Sequence, residues 1–259
     1  VDYTEDDPGV PTTGKIAIQI HGGATEIRYR NIFIEELNDS KRKTERAGQS
    51  FQLKTGETIA LLGGSNIERT RFNAELQTQL IASQPRLRLR VRNFGWEGDT
   101  VFEQWRDGGV SKQPPSKQQV PGVGAEQNQN WRQQRDWNQQ LSEAGVTTVI
   151  AQFGQMESLA GVENLPMFIE SYRILIDELG SGGRRVVLLS PTRFEKPLEP
   201  LWPDLSLRNQ SLEAYSKAIQ KLATELGLLF VDLADADNSK KLTSNGYQLN
   251  ETGQTVVAR

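Results

Sequence analysis

The sequence predicts an α/β fold in which one parallel sheet carries helices on both faces. Two observations support that expectation. Short apolar runs at 58–62, 146–153, 185–189 and 228–231 are bounded by turn residues, as buried strands are. Between and after them, apolar residues recur at helical spacing over 66–83, 164–179 and 207–226. Strands that alternate with helices in this way build parallel sheets. The run 86–92 differs, because Arg86, Arg88, Arg90 and Arg92 alternate with Leu87, Leu89 and Val91. Such a strand has one wet face and belongs at an edge, while the apolar 58–62 and 146–153 belong in the centre. The expected architecture is a flavodoxin-like three-layer sandwich. Its strands 56–62, 86–92, 146–153, 185–189 and 228–231 stand in the order 2-1-3-4-5.

Taken in order, residues 1–14 are polar and hold Pro8, Gly9, Pro11 and Gly14, which reads as a loop. Residues 15–21 and 26–37 form two strands joined at Gly22 and Gly23, a β-hairpin. Two strands alone are marginally stable, so this hairpin needs something further to pack on. The charged stretch 38–49 reads as a linker, and the main domain spans 50–259.

Gly63 and Gly64 end the first strand, and Ser65 opens the helix that follows. A hydroxyl at that turn lies in the positive field of a helix N-terminus, where a nucleophile would be placed. A second reading stands beside it: Ser65 and Glu68 also fit a capping box. After the second strand comes a loop with Trp96, Glu97, Gly98, Asp99 and Thr100. Residues 111–140 are rich in Gln, Pro and Gly and suggest a surface insertion, turning helical from about 126 with Trp131, Trp137 and Leu141. The strand 146–153 ends in Gly154, Gln155, Met156, Glu157 and Ser158. Gly227 sits at the C-terminal cap of the long helix 207–226. Residues 243–250 form a loop, and 251–259 begin a last helix.

Composition narrows the function classes. The chain has 259 residues, a net charge of −3 and no basic stripe of the kind that binds nucleic acid. It has no cysteine, which excludes disulfides, thiolate catalysis and cysteine-ligated metal. No apolar stretch is long enough to span a bilayer. There is one histidine, His21.

The loops at 63–65, 98–100, 154–158 and 245–248 follow predicted strands or precede the last helix. Their order and spacing resemble the SGNH (GDSL-like) hydrolase family over about 50–259. Leu212, Tyr215, Ala223, Asp232 and Leu233 also match that family's last helix and strand. The resemblance implies acyl transfer without a cofactor or metal. A serine acts as nucleophile, and a histidine with an aspartate three residues before it acts as base. The oxyanion hole uses the serine amide, a glycine amide and an asparagine side chain. Separately, residues 14–23 and 30–36 resemble the C-terminal strands of a 3-keto-disaccharide hydrolase domain, a lectin-like β-sandwich. That would make residues 1–37 the end of a truncated preceding domain in a longer, extracytoplasmic chain.

Residue by residue, the match is partial. Ser65 stands at the nucleophile and Gly98 at the oxyanion glycine. Met156 stands where the oxyanion asparagine would be, and a thioether donates no hydrogen bond. Asn245 replaces the acid and Gln248 the base. A serine hydroxyl is a weak nucleophile until a base takes its proton, and glutamine has no useful basicity. Losing one oxyanion donor alone costs about 3 kcal/mol of barrier. His21 or Glu157 would be the substitute bases, and Glu97, Asp99 and Glu157 a cation site of undistinctive spacing.

The first expectation is therefore an SGNH-like domain that has lost serine-esterase activity and serves as a binding or assembly module. A carbohydrate is the expected ligand, with Trp96, Trp105, Trp131, Trp137 and Trp202 as candidates for stacking. The alternatives are an active ester hydrolase on acylated carbohydrate with an unusual base, and a subunit of a larger complex.

Overall fold

A computed structural model describes residues 51–104, 136–233 and 240–258. The hairpin 15–37 with His21, the linker, most of the insertion, Trp105 and Trp131 lie outside the described residues. In chain order the elements are β1 (Thr58–Gly63), α1 (Ser65–Asn73), α2 (Glu75–Ser83), β2 (Arg90–Asn93) and α3 (Trp137–Glu143). They continue with β3 (Thr148–Gln152), α4 (Leu165–Gly180), β4 (Arg185–Leu189), α5 (Asn209–Leu226), β5 (Leu229–Val231) and α6 (Glu251–Val257). The sheet is five-stranded and parallel throughout, in the order β2-β1-β3-β4-β5.

Each strand's position follows from its side chains. Every residue of β1 is buried, because both faces of a central parallel strand are covered by helices. Ala60 and Leu62 face the larger core with Val149, Ala151, Val186 and Leu188. There α3, α4 and α5 contribute Trp137, Leu141, Phe168, Tyr172, Tyr215 and Ile219. Ile59 and Leu61 face the opposite way, toward Ile67 of α1 and the partly buried Leu76 and Leu80 of α2. The arginine-bearing β2 is an edge strand, with Arg90 and Arg92 exposed and Val91 half-buried. Gly227 ends α5 in the left-handed conformation, with its N–H bonded back to Thr224. No helix among the described residues is long and apolar enough to cross a membrane.

Several boundaries differ from the sequence expectation. The helix expected at 66–83 is two helices, broken at Ala74, whose φ is 52°. Phe72, an apolar residue of that stretch, is 76% exposed and does not pack on the sheet. The strand expected from 86 begins at Arg90, since Pro85–Leu87 is a 3-10 turn and Arg88 takes a φ of 52°. The helix expected from 207 starts as α-helix at Asn209. The Asn209 side chain accepts from the Phe194 N–H and donates to the Phe194 carbonyl, pinning the chain at that point.

Candidate functional site

The C-terminal ends of β1, β2, β3 and β4 deliver four loops to one end of the sheet, where ligands bind in open α/β folds. At β1 the chain turns through Gly63 and Gly64 and enters α1 directly. Gly64 is the helix N-cap and offers no side chain, and the Glu68 N–H bonds to the Gly64 carbonyl at 3.0 Å. Ser65 is therefore the first residue inside the helix, not its cap. The capping-box expectation is corrected: Glu68 pairs with Arg71 at 3.4 Å instead of reaching back. No described residue hydrogen-bonds the Ser65 hydroxyl, which lines a small, open pocket. Asn66, Asp99, Gln155, Met156, Glu157 and Thr192 are among its other walls.

The Gly98 loop is tied to β1 by the Phe94 N–H to Leu61 carbonyl bond (2.8 Å) and the Trp96 N–H to Gly63 carbonyl bond (3.0 Å). Gly98 itself has a φ of 87°, a conformation glycine adopts readily. Of the five positions singled out by sequence, Ser65 and Met156 share the pocket wall, whereas Gly98, Asn245 and Gln248 do not form part of it.

Glu157 is not placed to act as a base. One carboxylate oxygen accepts from the Val101 N–H (2.8 Å) and the other from the Gly154 N–H (2.9 Å). Burial raises its pKa, and those backbone hydrogen bonds only partly offset the rise. Its work is to join the loops after β2 and β3. No three acidic or histidine side chains converge among the described residues as a metal site requires, so Glu97, Asp99 and Glu157 do not make the cation site considered from sequence. Trp137 is fully buried in the core; Trp96 and Trp202 are partly exposed.

Gln248 is held in both directions. Its backbone N–H donates to Asn245 Oδ1 (2.9 Å), and Asn245 Nδ2 donates to Gln248 Oε1 (2.9 Å). Gln248 Nε2 then donates to Glu97 Oε1 at 2.9 Å. An acid–base dyad runs the other way: its base donates a proton to a carboxylate that can only accept. Here position 245 is the side-chain donor and position 248 the acceptor.

Sequence reasoning missed the loop after β4 and the residue after Ser65. Asn66 Nδ2 donates to Thr192 Oγ1 (3.0 Å), Gln155 Oε1 (3.1 Å) and the Tyr247 carbonyl (3.2 Å), and Asn66 Oδ1 accepts from the Leu249 N–H (2.9 Å). Gln155 Nε2 completes the network on Thr192 and Tyr247. Glu195 holds the last loop: it accepts from the N–H groups of Leu242 (3.0 Å) and Thr243 (2.8 Å) and from the Thr243 hydroxyl. The strand-end rule that selected the other loops also points to Ser190–Glu195, and that was the available signal.

Solved structures share this fold. A GDSL-like protein from Parabacteroides merdae superposes with a TM-score of 0.53 at 14% identity, over 80% of this chain and 94% of that one. An acetylxylan esterase from Geobacillus stearothermophilus gives 0.54 at 18%, over 80% and 93%. The chain has the SGNH (GDSL-like) hydrolase fold. A gut microbial diltiazem-metabolizing enzyme gives 0.56 at 15%, over 82% of this chain and 47% of that enzyme. No protein-family model and no curated protein matches the chain. Catalytic mutants of the Geobacillus esterase alter one serine, one aspartate and one histidine, the last two three positions apart. Asn245 and Gln248 have that same spacing within the SGNH-like fold here.

Proposed function

We propose that this SGNH-like domain has lost serine-esterase catalysis and works as a binding or assembly module. The observation that carries the reading is the side-chain pair at 245 and 248. Gln248 can take no proton from Ser65, and Asn245 approaches it as a donor, the wrong polarity to stabilise an imidazolium even if one were there. Met156 in the pocket wall removes the side-chain donor of an oxyanion hole. A carbohydrate is the ligand class best matched by a pocket of amide, hydroxyl and carboxylate groups. One structural neighbour is an acetyl-xylooligosaccharide esterase, which adds support.

The test is a rate comparison. The chain hydrolyses small activated esters no faster than its Ser65→Ala variant at any pH from mildly acid to mildly alkaline. A serine-dependent rate with a sigmoid or bell-shaped profile would overturn the reading. It would favour the second one, an active ester hydrolase with an unusual base, to which the Ser65 hydroxyl, bonded by no described residue and lining the pocket, lends support. A companion variant, Met156→Asn with Asn245→Asp and Gln248→His, restores the missing groups. Gain of a rate that Ser65→Ala abolishes would show that the pocket has kept its shape.

A further inference from the structure

Position 248 lies between opposite charges drawn from two distant parts of the chain. On one side, Gln248 Oε1 accepts from Asn245 Nδ2 at 2.9 Å and from the Arg69 guanidinium at 3.3 Å. On the other, Gln248 Nε2 donates to the Glu97 carboxylate at 2.9 Å. The direction of the amide is determined by its neighbours. Asn245 Oδ1 is occupied by the N–H groups of Gln248 and Tyr247, so its NH2 faces Gln248. A guanidinium has only donors, and an ionised carboxylate only acceptors. Flipping the Gln248 amide would set NH2 against two donors and a carbonyl oxygen against a carboxylate. Arg69 is half-buried, one helical turn after Ser65, and its one hydrogen bond among the described residues is to Gln248.

We infer that Arg69 and Glu97 are positioning residues that form a seat for a neutral amide of fixed polarity at position 248. The inference rests on the reading that the site binds rather than cleaves, and it adds what holds the last loop, whose Tyr247 carbonyl accepts from Asn66 and Gln155 of the pocket wall. The seat fastens the last loop to α1 and to the Gly98 loop before any ligand arrives, which lowers the ordering cost of binding. It also discriminates against the alternatives. A glutamate at 248 would face Glu97, and an imidazolium there would face both the Asn245 NH2 and the Arg69 guanidinium.

A charge-reversal cycle on the whole chain, read by thermal unfolding, tests the seat. Gln248→Glu lowers the melting temperature. Adding Glu97→Gln recovers most of that loss, while adding Arg69→Gln deepens it. If the effects merely add, so that Glu97→Gln harms the Gln248→Glu variant as much as it harms the parent, the seat is wrong. A second measurement does not depend on stability. In Gln248→His, the new imidazole is followed by NMR beside the one native histidine. Arg69→Gln raises its titration midpoint and Glu97→Gln lowers it, each by on the order of half to one pH unit. A midpoint that neither substitution moves would also overturn the inference. Ester hydrolysis enters neither arm. Failure of the seat therefore leaves the binding-module proposal standing, and a serine-dependent esterase rate would leave the seat standing.

Discussion

A Cβ placed on Gly63 would lie 2.5 Å from the Gln152 carbonyl oxygen, and one placed on Gly246 would lie 2.7 Å from that of Glu195. In this respect the Ser65 corner and the Asn245–Gln248 loop are alike: each needs a glycine because a neighbouring backbone comes too close for anything else. Their side chains differ. The Ser65 hydroxyl bonds no described residue, whereas Asn245 and Gln248 are occupied by each other, by Glu97 and by Arg69. The corner presents a serine hydroxyl on a constrained backbone. At the loop, the side chains of Asn245 and Gln248 are engaged in hydrogen bonds. Backbone approach is a demand of the fold and applies whatever the site does. Proton transfer is a demand of chemistry alone, and a side chain freed from it can be replaced by one that fits its neighbours better.

The largest expected effect tests the backbone half of that comparison. Gly63→Ala drives a methyl group into the Gln152 carbonyl and Ile67, and should cost about 3 kcal/mol, read by denaturant unfolding. A cost near zero would mean the β1–α1 corner relaxes freely. Next is Glu195→Ala, which orphans the Leu242 and Thr243 N–H groups and should cost about 2 kcal/mol at neutral pH. Burial alone would raise the Glu195 pKa. Its bonds from Leu242 and Thr243, and the Lys241 ammonium 3.6 Å away, outweigh burial and hold it below the usual carboxylate value. Its contribution is therefore complete above the ordinary glutamate pKa and is lost as pH falls through the lowered folded value. Glu195→Gln should flatten that acid limb of the stability profile, and a limb that keeps its slope would assign the acid loss to other groups. Gln248→Ala removes a bonded side chain and should cost about 1 kcal/mol, measured by the same unfolding curve. Smallest is Ser65→Ala: with no bond to a described residue to lose, stability should stay within about 0.5 kcal/mol. A larger loss would show that the serine is held by the fold after all.

The sheet was legible because each strand advertised its place. Burial on both faces of Thr58–Gly63 and Thr148–Gln152 and the wet face of Arg90–Asn93 are written in their apolar patterns, and the strand order followed. The break at Ala74 was hidden, since no glycine or proline marks it and an alanine in the left-handed region carries no signal. Ser65 was legible as a position but not as a role. A serine followed by Glu68 fits a cap on paper, yet the helix begins one residue early because Gly64 serves as N-cap. Asn66, Arg69 and Thr192 were invisible for another reason: their partners lie between 37 and 183 residues away, and no local pattern records such a distance.

The same long separations govern how the molecule is assembled. Ile59 of β1 pairs with Thr148 of β3, and Asn66 meets Leu249, 183 positions further along the chain. Contacts this distant in sequence form only after large loops have closed, which makes folding slow relative to a chain of local contacts. The Ser65 pocket is walled by residues from four strand-end loops, so it is complete only in the folded chain. A molecule that binds it there and not in the unfolded chain adds its binding free energy to the stability of the fold.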